Sequence, residues 1–282
     1  MKSGKVNYHS VHSIDEAITL SQTHEGNVKY IAGGQSLTPM MNLRLIFSEE
    51  IIDISKIQEL KQSYFFQGRF FIGAAVTHAM IEDGKVNDPT NGYLQYVAQG
   101  IAYRGVRNKG TIGGSIVNAD PAADWPTALL ALGASVMIKD LTNDIETPIG
   151  HFQCGLMQTT LKESDLVKGV LVPDLSKDAK WSYVKFCHKV GEFAHSIAAI
   201  VIDPNLGIFN AALGAAGDKP ILLPRLSEYL KSVNISNNDF EIELNDILER
   251  DLLENINHLP SSYEFNLHRS IIKKAVMEAL IK

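Results

Sequence analysis

The polar and apolar positions change period several times along the chain. Residues 6–12 read as a short strand, and Ser13-Ile14-Asp15-Glu16 then opens a helix. Ser13 stands at the N-cap and Glu16 at the capping-box position. Ala17, Ile18 and Leu20 give that helix an apolar face, and His24-Glu25-Gly26-Asn27 ends it. Val28 to Ile31 is the next strand, Leu37 to Leu45 a helix of one to two turns, and Ile51 to Ile54 another strand. Residues 1–54 therefore predict a small βαβ-like unit.

The pattern then turns to β-structure over 57–75. Gln58-Glu59-Leu60 and Tyr64-Phe65-Phe66 are followed by a Gln67-Gly68 turn and a strand from Arg69 to Ala74. Thr77 caps a helix through Glu82, on which His78 reads as a surface residue. A helix spans Gly92 to Arg104, and another runs from Thr127 to a glycine stop at Gly133. Strands are expected at 134–139 and 145–148, with Thr142-Asn143-Asp144 as the turn between them. A strand from Leu166 to Val172 closes this mostly antiparallel sheet. Pro173-Asp174-Leu175-Ser176 then punctuates the chain. Beyond it lie a strand around Trp181 to Phe186 and an apolar strand up to Asp203. That strand turns at Pro204-Asn205 into a partner over 206–215. Lys219 to Leu223, a polar stretch from Asn234 to Asp239, and a helix over 263–281 complete the pattern.

Two glycine pairs interrupt these elements where chemistry is expected. Ala32-Gly33-Gly34-Gln35-Ser36 joins a strand to a helix start, a layout that aims backbone N–H groups at an anion. Two glycines let the backbone approach a ligand with no Cβ in the way. The same pair also serves as an ordinary turn, and the Ser36 hydroxyl suits either a helix N–H or a phosphate oxygen. The second pair lies in Thr111-Ile112-Gly113-Gly114-Ser115, within a loop of small residues that continues through Asp120-Pro121 to Asp124-Trp125-Pro126. Hydroxyls and a carboxylate there suit a diphosphate-bridged dinucleotide, although both aspartates also suit turns. The chain has no Gly-x-Gly-x-x-Gly, which weighs against a nicotinamide-binding Rossmann domain.

Composition narrows the classes. The 282 residues suffice for two domains. A formal net charge of −6 without a basic run argues against nucleic acid as the main partner. Cys154 and Cys187 are the only cysteines, too few for a four-thiolate iron–sulfur cluster. The polar start from Met1 to Lys5 carries no apolar signal core. No stretch reaches the roughly 18 apolar residues of a membrane helix. Cytoplasm is the expected compartment.

Together, the Ala-Gly-Gly-x-Ser and Thr-Ile-Gly-Gly-x loops resemble those of the FAD-binding medium subunit of molybdenum hydroxylases, the family of carbon monoxide, xanthine and nicotinate dehydrogenases. The resemblance implies an α+β fold: a two-lobed FAD-binding domain over 1–176, followed by a small C-terminal sheet-plus-helices domain over 177–282. Its lobes would be a small βαβ lobe over about 1–54 and a mainly antiparallel sheet lobe over 55–176. FAD would lie between the lobes, with one glycine loop from each reaching its diphosphate. The residues so implied are Lys29, Tyr30, Ile31, Ala32, Gly33, Gly34, Gln35, Ser36 and Leu37 in the first lobe. Ala102, Thr111, Gly113, Gly114, Ser115, Asn118, Asp124 and Leu166 follow in the second. Lys185 would lie near the flavin, its ammonium favouring the reduced anionic form, and Phe193 would pack beside the isoalloxazine. Arg107 would help to hold the second loop.

The family pattern often has His at Gln35 and Asn at Ser115, so altered affinity is expected. The implied role is an electron-transfer subunit with no catalytic base and no metal of its own. It would take electrons from a small 2Fe-2S subunit, while substrate is hydroxylated on a large molybdopterin subunit, in a dimer of heterotrimers. Two other classes compete. A self-sufficient flavin oxidase would want a histidine at the first loop and a larger substrate domain than 177–282. A non-enzymatic module would bind no FAD.

Overall fold

The structure is a computed structural model that describes residues 4–24, 26–235, 237–256 and 261–281. Met1 to Ser3 of the polar start, Glu25 in the turn after the first helix and Ser236 in the polar stretch lie outside the described residues.

The first lobe contains β1 (Asn7–Ser10), α1 (Ile14–Thr23), β2 (Val28–Ile31), α2 (Leu37–Asn42) and β3 (Glu50–Asp53). Its three strands are parallel in the order β1-β3-β2, as a βαβ-like unit requires. The Ser13 hydroxyl accepts the Glu16 N–H at 3.1 Å, and the Glu16 carboxylate reaches back to the His12 N–H at 2.8 Å. The capping box thus closes one residue earlier than the usual reciprocal pair.

The second lobe begins with a 3-10 turn at Glu59–Lys61, where the pattern predicts a strand. β4 (Ser63–Phe66) and β5 (Arg69–Gly73) form the expected hairpin, with Gln67 and Gly68 both at positive φ. Then come α3 (His78–Glu82), α4 (Tyr93–Gln99), the single turn α5 (Arg104–Arg107), α6 (Ile112–Asn118) and α7 (Asp124–Leu132). The expected helix over 92–104 stops at Gly100, and Ala102 takes a positive φ of 41°. β6 (Ser135–Lys139) and β7 (Asp144–Pro148) lead through α8 (Ile149–Phe152) into the small hairpin β8 (Gln153–Gly155) and β9 (Gln158–Thr159). β10 (Leu166–Pro173) is the middle strand of an antiparallel sheet ordered β4-β5-β10-β6-β7, not its closing edge.

The third part is an antiparallel sheet of β11 (Lys180–Phe186), β12 (Ser196–Asp203), β13 (Ile208–Gly214) and β14 (Ile221–Leu222), in that order. It is followed by α9 (Pro224–Tyr229), α10 (Phe240–Asn255) and α11 (Ser262–Ile281). Every residue of β12 is buried, because both faces of the sheet are covered. Ile197, Ala199 and Val201 join the core that contains α7, and Ala198, Ile200 and Ile202 join a second core with α9, α10 and α11. His268 is a buried strut, its Nδ1 2.9 Å from the Ser196 hydroxyl. Among the described residues, no helix is long and apolar enough to cross a membrane.

Candidate functional site

The two glycine loops meet. A Cβ placed on Gly33 would lie 2.6 Å from the carbonyl carbon of Lys109 and 2.9 Å from Gly110 Cα, closer still to the Lys109 oxygen. Only glycine lets the first loop lie directly against the backbone that leads into the second. Gly34 sits at φ 67°, a conformation that favours glycine, and turns the chain toward α2.

The first loop is open toward a ligand. The N–H groups of Gly33, Gly34, Gln35 and Ser36 find no acceptor among the described residues. Ser36 precedes α2, yet its side chain makes no cap hydrogen bond. The helix-cap role is thus not taken, and the hydroxyl is left for another acceptor or donor. Gln35 is exposed and folds back, its Nε2 donating to the Gly33 carbonyl at 3.1 Å. Four N–H donors without an acceptor and a hydroxyl outside any cap bond are the groups an anion would satisfy.

The second loop is closed on itself, which the sequence pattern does not reveal. Residues 112–118 are helical, so Gly113 and Gly114 stand in the first turn of α6. Thr111 is its N-cap and accepts the Gly114 N–H at 3.0 Å. The Gly113 N–H donates to the Ala74 carbonyl and the Ile112 N–H to the Val76 carbonyl, both at 3.0 Å. A Cβ on Gly113 would sit 2.7 Å from Ala74 Cα, so this glycine allows close packing of α6 on the end of β5. Exposed Gly114 and the half-buried Ser115 and Asn118 are what this loop presents outward.

A chain of buried polar contacts fixes the junction. A Cβ on Gly110 would press within 2.9 Å of the His78 ring. His78 is buried, contrary to its reading as a surface residue, and its Nδ1 accepts from Trp125 Nε1 at 3.0 Å. Burial, aided by the Arg107 charge, pushes His78 down to about 4, so it is neutral near pH 7. Trp125 follows Asp124, the first residue of α7. Asp124 Oδ1 accepts from Lys185 Nζ at 2.8 Å and from the Tyr183 hydroxyl at 2.7 Å. Burial raises the Asp124 carboxyl, while Lys185 and then Tyr183 pull it back. Lys185 also donates to the Gly100 carbonyl at 2.6 Å. The Lys185 ammonium is thus paired with a carboxylate in contact, which offsets part of its field.

Arg107 completes the frame. Its guanidinium grips the Glu82 carboxylate with two nitrogens, at 2.8 and 2.9 Å, and donates to the Ile101 and Ala102 carbonyls at 2.9 and 3.0 Å. This clamp holds the backbone where Ala102 takes its positive φ. Arg104 is paired with Glu82 and Asp83, so its charge is compensated from within the chain.

The remaining sequence-derived positions distribute unevenly. Tyr30 donates across the lobes to the Ser164 carbonyl at 3.2 Å, which makes it a strut beside the start of β10. Leu166 opens that strand with its side chain in the core. Lys29 is exposed, Ile31 and Ala32 are half-buried at the approach to Gly33, and Leu37 starts α2. Phe193 is 62 % exposed on the turn before β12. A Cβ on Gly191 of that turn would lie 2.7 Å from the Tyr103 ring, so the turn rests on the neighbour of Ala102. His78, Glu82 and Tyr183 are the parts that sequence reasoning does not assign. Their partners lie 22 to 59 residues away, beyond any local signal.

A profile described as the FAD binding domain in molybdopterin dehydrogenase matches residues 4–175. The caffeine dehydrogenase subunit beta of Pseudomonas sp. (strain CBB1) is 28% identical over 257 residues, covering 88% of this chain and 87% of that one. The carbon monoxide dehydrogenase medium chain of Hydrogenophaga pseudoflava is 31% identical over 195 residues, 69% of this chain and 68% of its own. A solved structure of carbon monoxide dehydrogenase from that organism, lacking the Mo-pyranopterin moiety, superposes with a TM-score of 0.89 at 24% identity. It covers 100% of this chain and 99% of that one. At that identity the superposition speaks to the fold.

Proposed function

The chain belongs to the family of FAD binding domains in molybdopterin dehydrogenase, and on that premise we propose that it is the FAD-carrying electron-transfer subunit of a multisubunit molybdenum hydroxylase. The observation that carries this reading is the open cradle of Gly33 to Ser36, pressed by Gly33 against Lys109 and Gly110. Those residues fit the group, since a diphosphate supplies the acceptors that four N–H donors and the Ser36 hydroxyl lack.

In this proposal the Gly33 to Ser36 N–H groups bind the diphosphate of FAD. Thr111, Gly113 and Gly114 build the wall behind it, and Ser115 and Asn118 offer side-chain hydrogen bonds from that wall. Asp124 and Lys185 act as a pair that orients the backbone at Gly100. Arg107 orients Ile101 and Ala102. Tyr30 and Leu166 brace the lobe junction, and Phe193 covers one side of the site. Lys29, Ile31, Ala32, Gln35 and Leu37 complete the contact set. When bound, FAD supplies a redox centre able to pass electrons between carriers, and the protein supplies placement and electrostatics.

The partners proposed are a small 2Fe-2S subunit that delivers electrons and a large molybdopterin subunit on which substrate is hydroxylated. Assembly as a dimer of heterotrimers, cytoplasmic residence, and a division into a FAD-binding domain over 1–176 and a C-terminal domain over 177–282 are part of the same proposal. Co-expression with candidate partner chains, followed by purification and cofactor analysis, tests it. The expected result is a complex that carries FAD, iron–sulfur clusters and molybdenum, with FAD released on denaturation. A chain that stays colourless after incubation with FAD overturns it.

A further inference from the structure

A second constellation lies away from the glycine loops, on the parallel sheet of the first lobe. His9 on β1, His24 at the C-cap of α1 and Glu50 on β3 bring one donor atom each within 4.8 Å of one another. His9 Nε2 is 2.6 Å from Glu50 Oε2, His24 Nδ1 is 3.6 Å from Glu50 Oε1, and the two imidazole centroids are 5.1 Å apart. Asn7 Nδ2 donates to Glu50 Oε1 at 2.7 Å, fixing the carboxylate from the side. The His9, His24 and Glu50 side chains are 29%, 32% and 10% exposed, which leaves water a path to the centre of the triangle.

We propose that His9, His24 and Glu50 form a binding site for a borderline divalent cation of the zinc class. Two imidazoles and one carboxylate are a donor set that such ions prefer over calcium or magnesium. Bonds of about 2.0–2.1 Å in a tetrahedral site separate neighbouring donors by about 3.3 Å. The 3.6 Å spacing of His24 and Glu50 already approaches this. His9 and Glu50 need to open from their hydrogen bond by less than about 1 Å, and donors that lie as far as 4.8 Å apart need to close by up to about 1.5 Å, both side-chain adjustments. Water would fill the fourth position. Asn7 acts as the outer partner that orients the carboxylate, a role of the kind worth about 10–100-fold in affinity at metal sites.

The three ligands come from three elements, and none of them touches the glycine loops. His24 ends α1 immediately before the turn into β2, and β2 runs directly into Ala32 and Gly33. A cation there would staple the end of α1 to β1 and β3, and would fix the entry to the cradle from behind.

The test is titration of the full chain, stripped with a chelator, with zinc chloride by calorimetry and by thermal melting. The expected result is one saturable equivalent and a rise in melting temperature, with neither calcium nor magnesium chloride giving the rise. His24→Gln, on a half-exposed turn, should keep the native circular dichroism, weaken zinc binding at least about tenfold and abolish the rise. Glu50→Gln should do the same, and Asn7→Ala should weaken binding by about 10–100-fold. Replacing the separate His188 and His195 pair, whose rings meet edge to face with centroids 4.4 Å apart, should change nothing. The proposal is overturned if wild-type protein takes up no saturable zinc, if folded His24→Gln binds as tightly as wild type, or if loss of His188 and His195 removes the binding.

Discussion

Replacing Gly33 with alanine is the sharpest perturbation the structure offers. The new Cβ would lie 2.6 Å from the Lys109 carbonyl carbon, where ordinary contact begins at 3.4 Å. The obstacle is backbone on both sides, so a rotamer change cannot relieve it. The loops must part by about 1 Å, and overpacking of this kind costs about 1–3 kcal/mol. If that strain falls on the bound state, FAD affinity drops by about 10–100-fold, since each 1.4 kcal/mol is tenfold. Quenching of FAD fluorescence on titration with apoprotein measures this directly. Gly105→Ala is the control: a Cβ there meets nothing within 4 Å, and affinity should stay at the wild-type value. Wild-type affinity in Gly33→Ala would refute the claim that the close approach of the loops shapes the cradle.

Three further outcomes follow from the frame around the site. His78 is held at about 4 against an ordinary value of 6.5, so the unfolded chain binds its proton more readily. Stability from this group is complete above pH 6.5 and falls as pH drops toward 4, by about 3 kcal/mol in all, readable from urea unfolding at a series of pH values. A flat profile over that window in which His78→Gln behaves like wild type would contradict it. Lys185→Met strands the Asp124 carboxylate, 11% exposed, beside Tyr183 alone and should cost about 3–5 kcal/mol by chemical denaturation. The double variant with Asp124→Asn should recover part of the loss. Arg107→Lys cannot reproduce four hydrogen bonds from one planar fork. It should lower stability by about 1–3 kcal/mol and weaken FAD binding, checked by melting and by the same fluorescence titration.

Local patterns carried most of the fold. Ser13 and Glu16 announced α1, the Gln67-Gly68 turn announced the β4–β5 hairpin, and Gly133 announced the end of α7 at φ 65°. What they could not carry was long-range compensation. Gly100 ends α4, and the backbone beyond it is held by Arg107 from α5 and by Lys185 from β11, neither of which is visible near Ala102. The run from Phe240 to Asn255 has seven ionisable residues among its sixteen, and the sequence pattern assigns it no element. It is helical because Phe240, Leu244, Leu248 and Leu252 pack into the second core. The site divides the same way. Both glycine pairs could be seen, but not that Gly33 is a contact, that Gly113 is a packing device, and that only the first loop keeps its N–H groups open. His78 looked like a surface residue because Trp125, its partner, is 47 residues distant.

Hydrogen–deuterium exchange of the peptide spanning Ile31 to Leu37, with and without FAD, tests the central claim most directly. The Gly33 to Ser36 amides have no acceptor among the described residues and should exchange fast in the apoprotein. FAD should slow them strongly, with lesser change at Gly113 and Gly114, whose N–H groups are already bonded. Exchange at Gly33 to Ser36 that is untouched by FAD, with protection appearing elsewhere, would contradict the cradle.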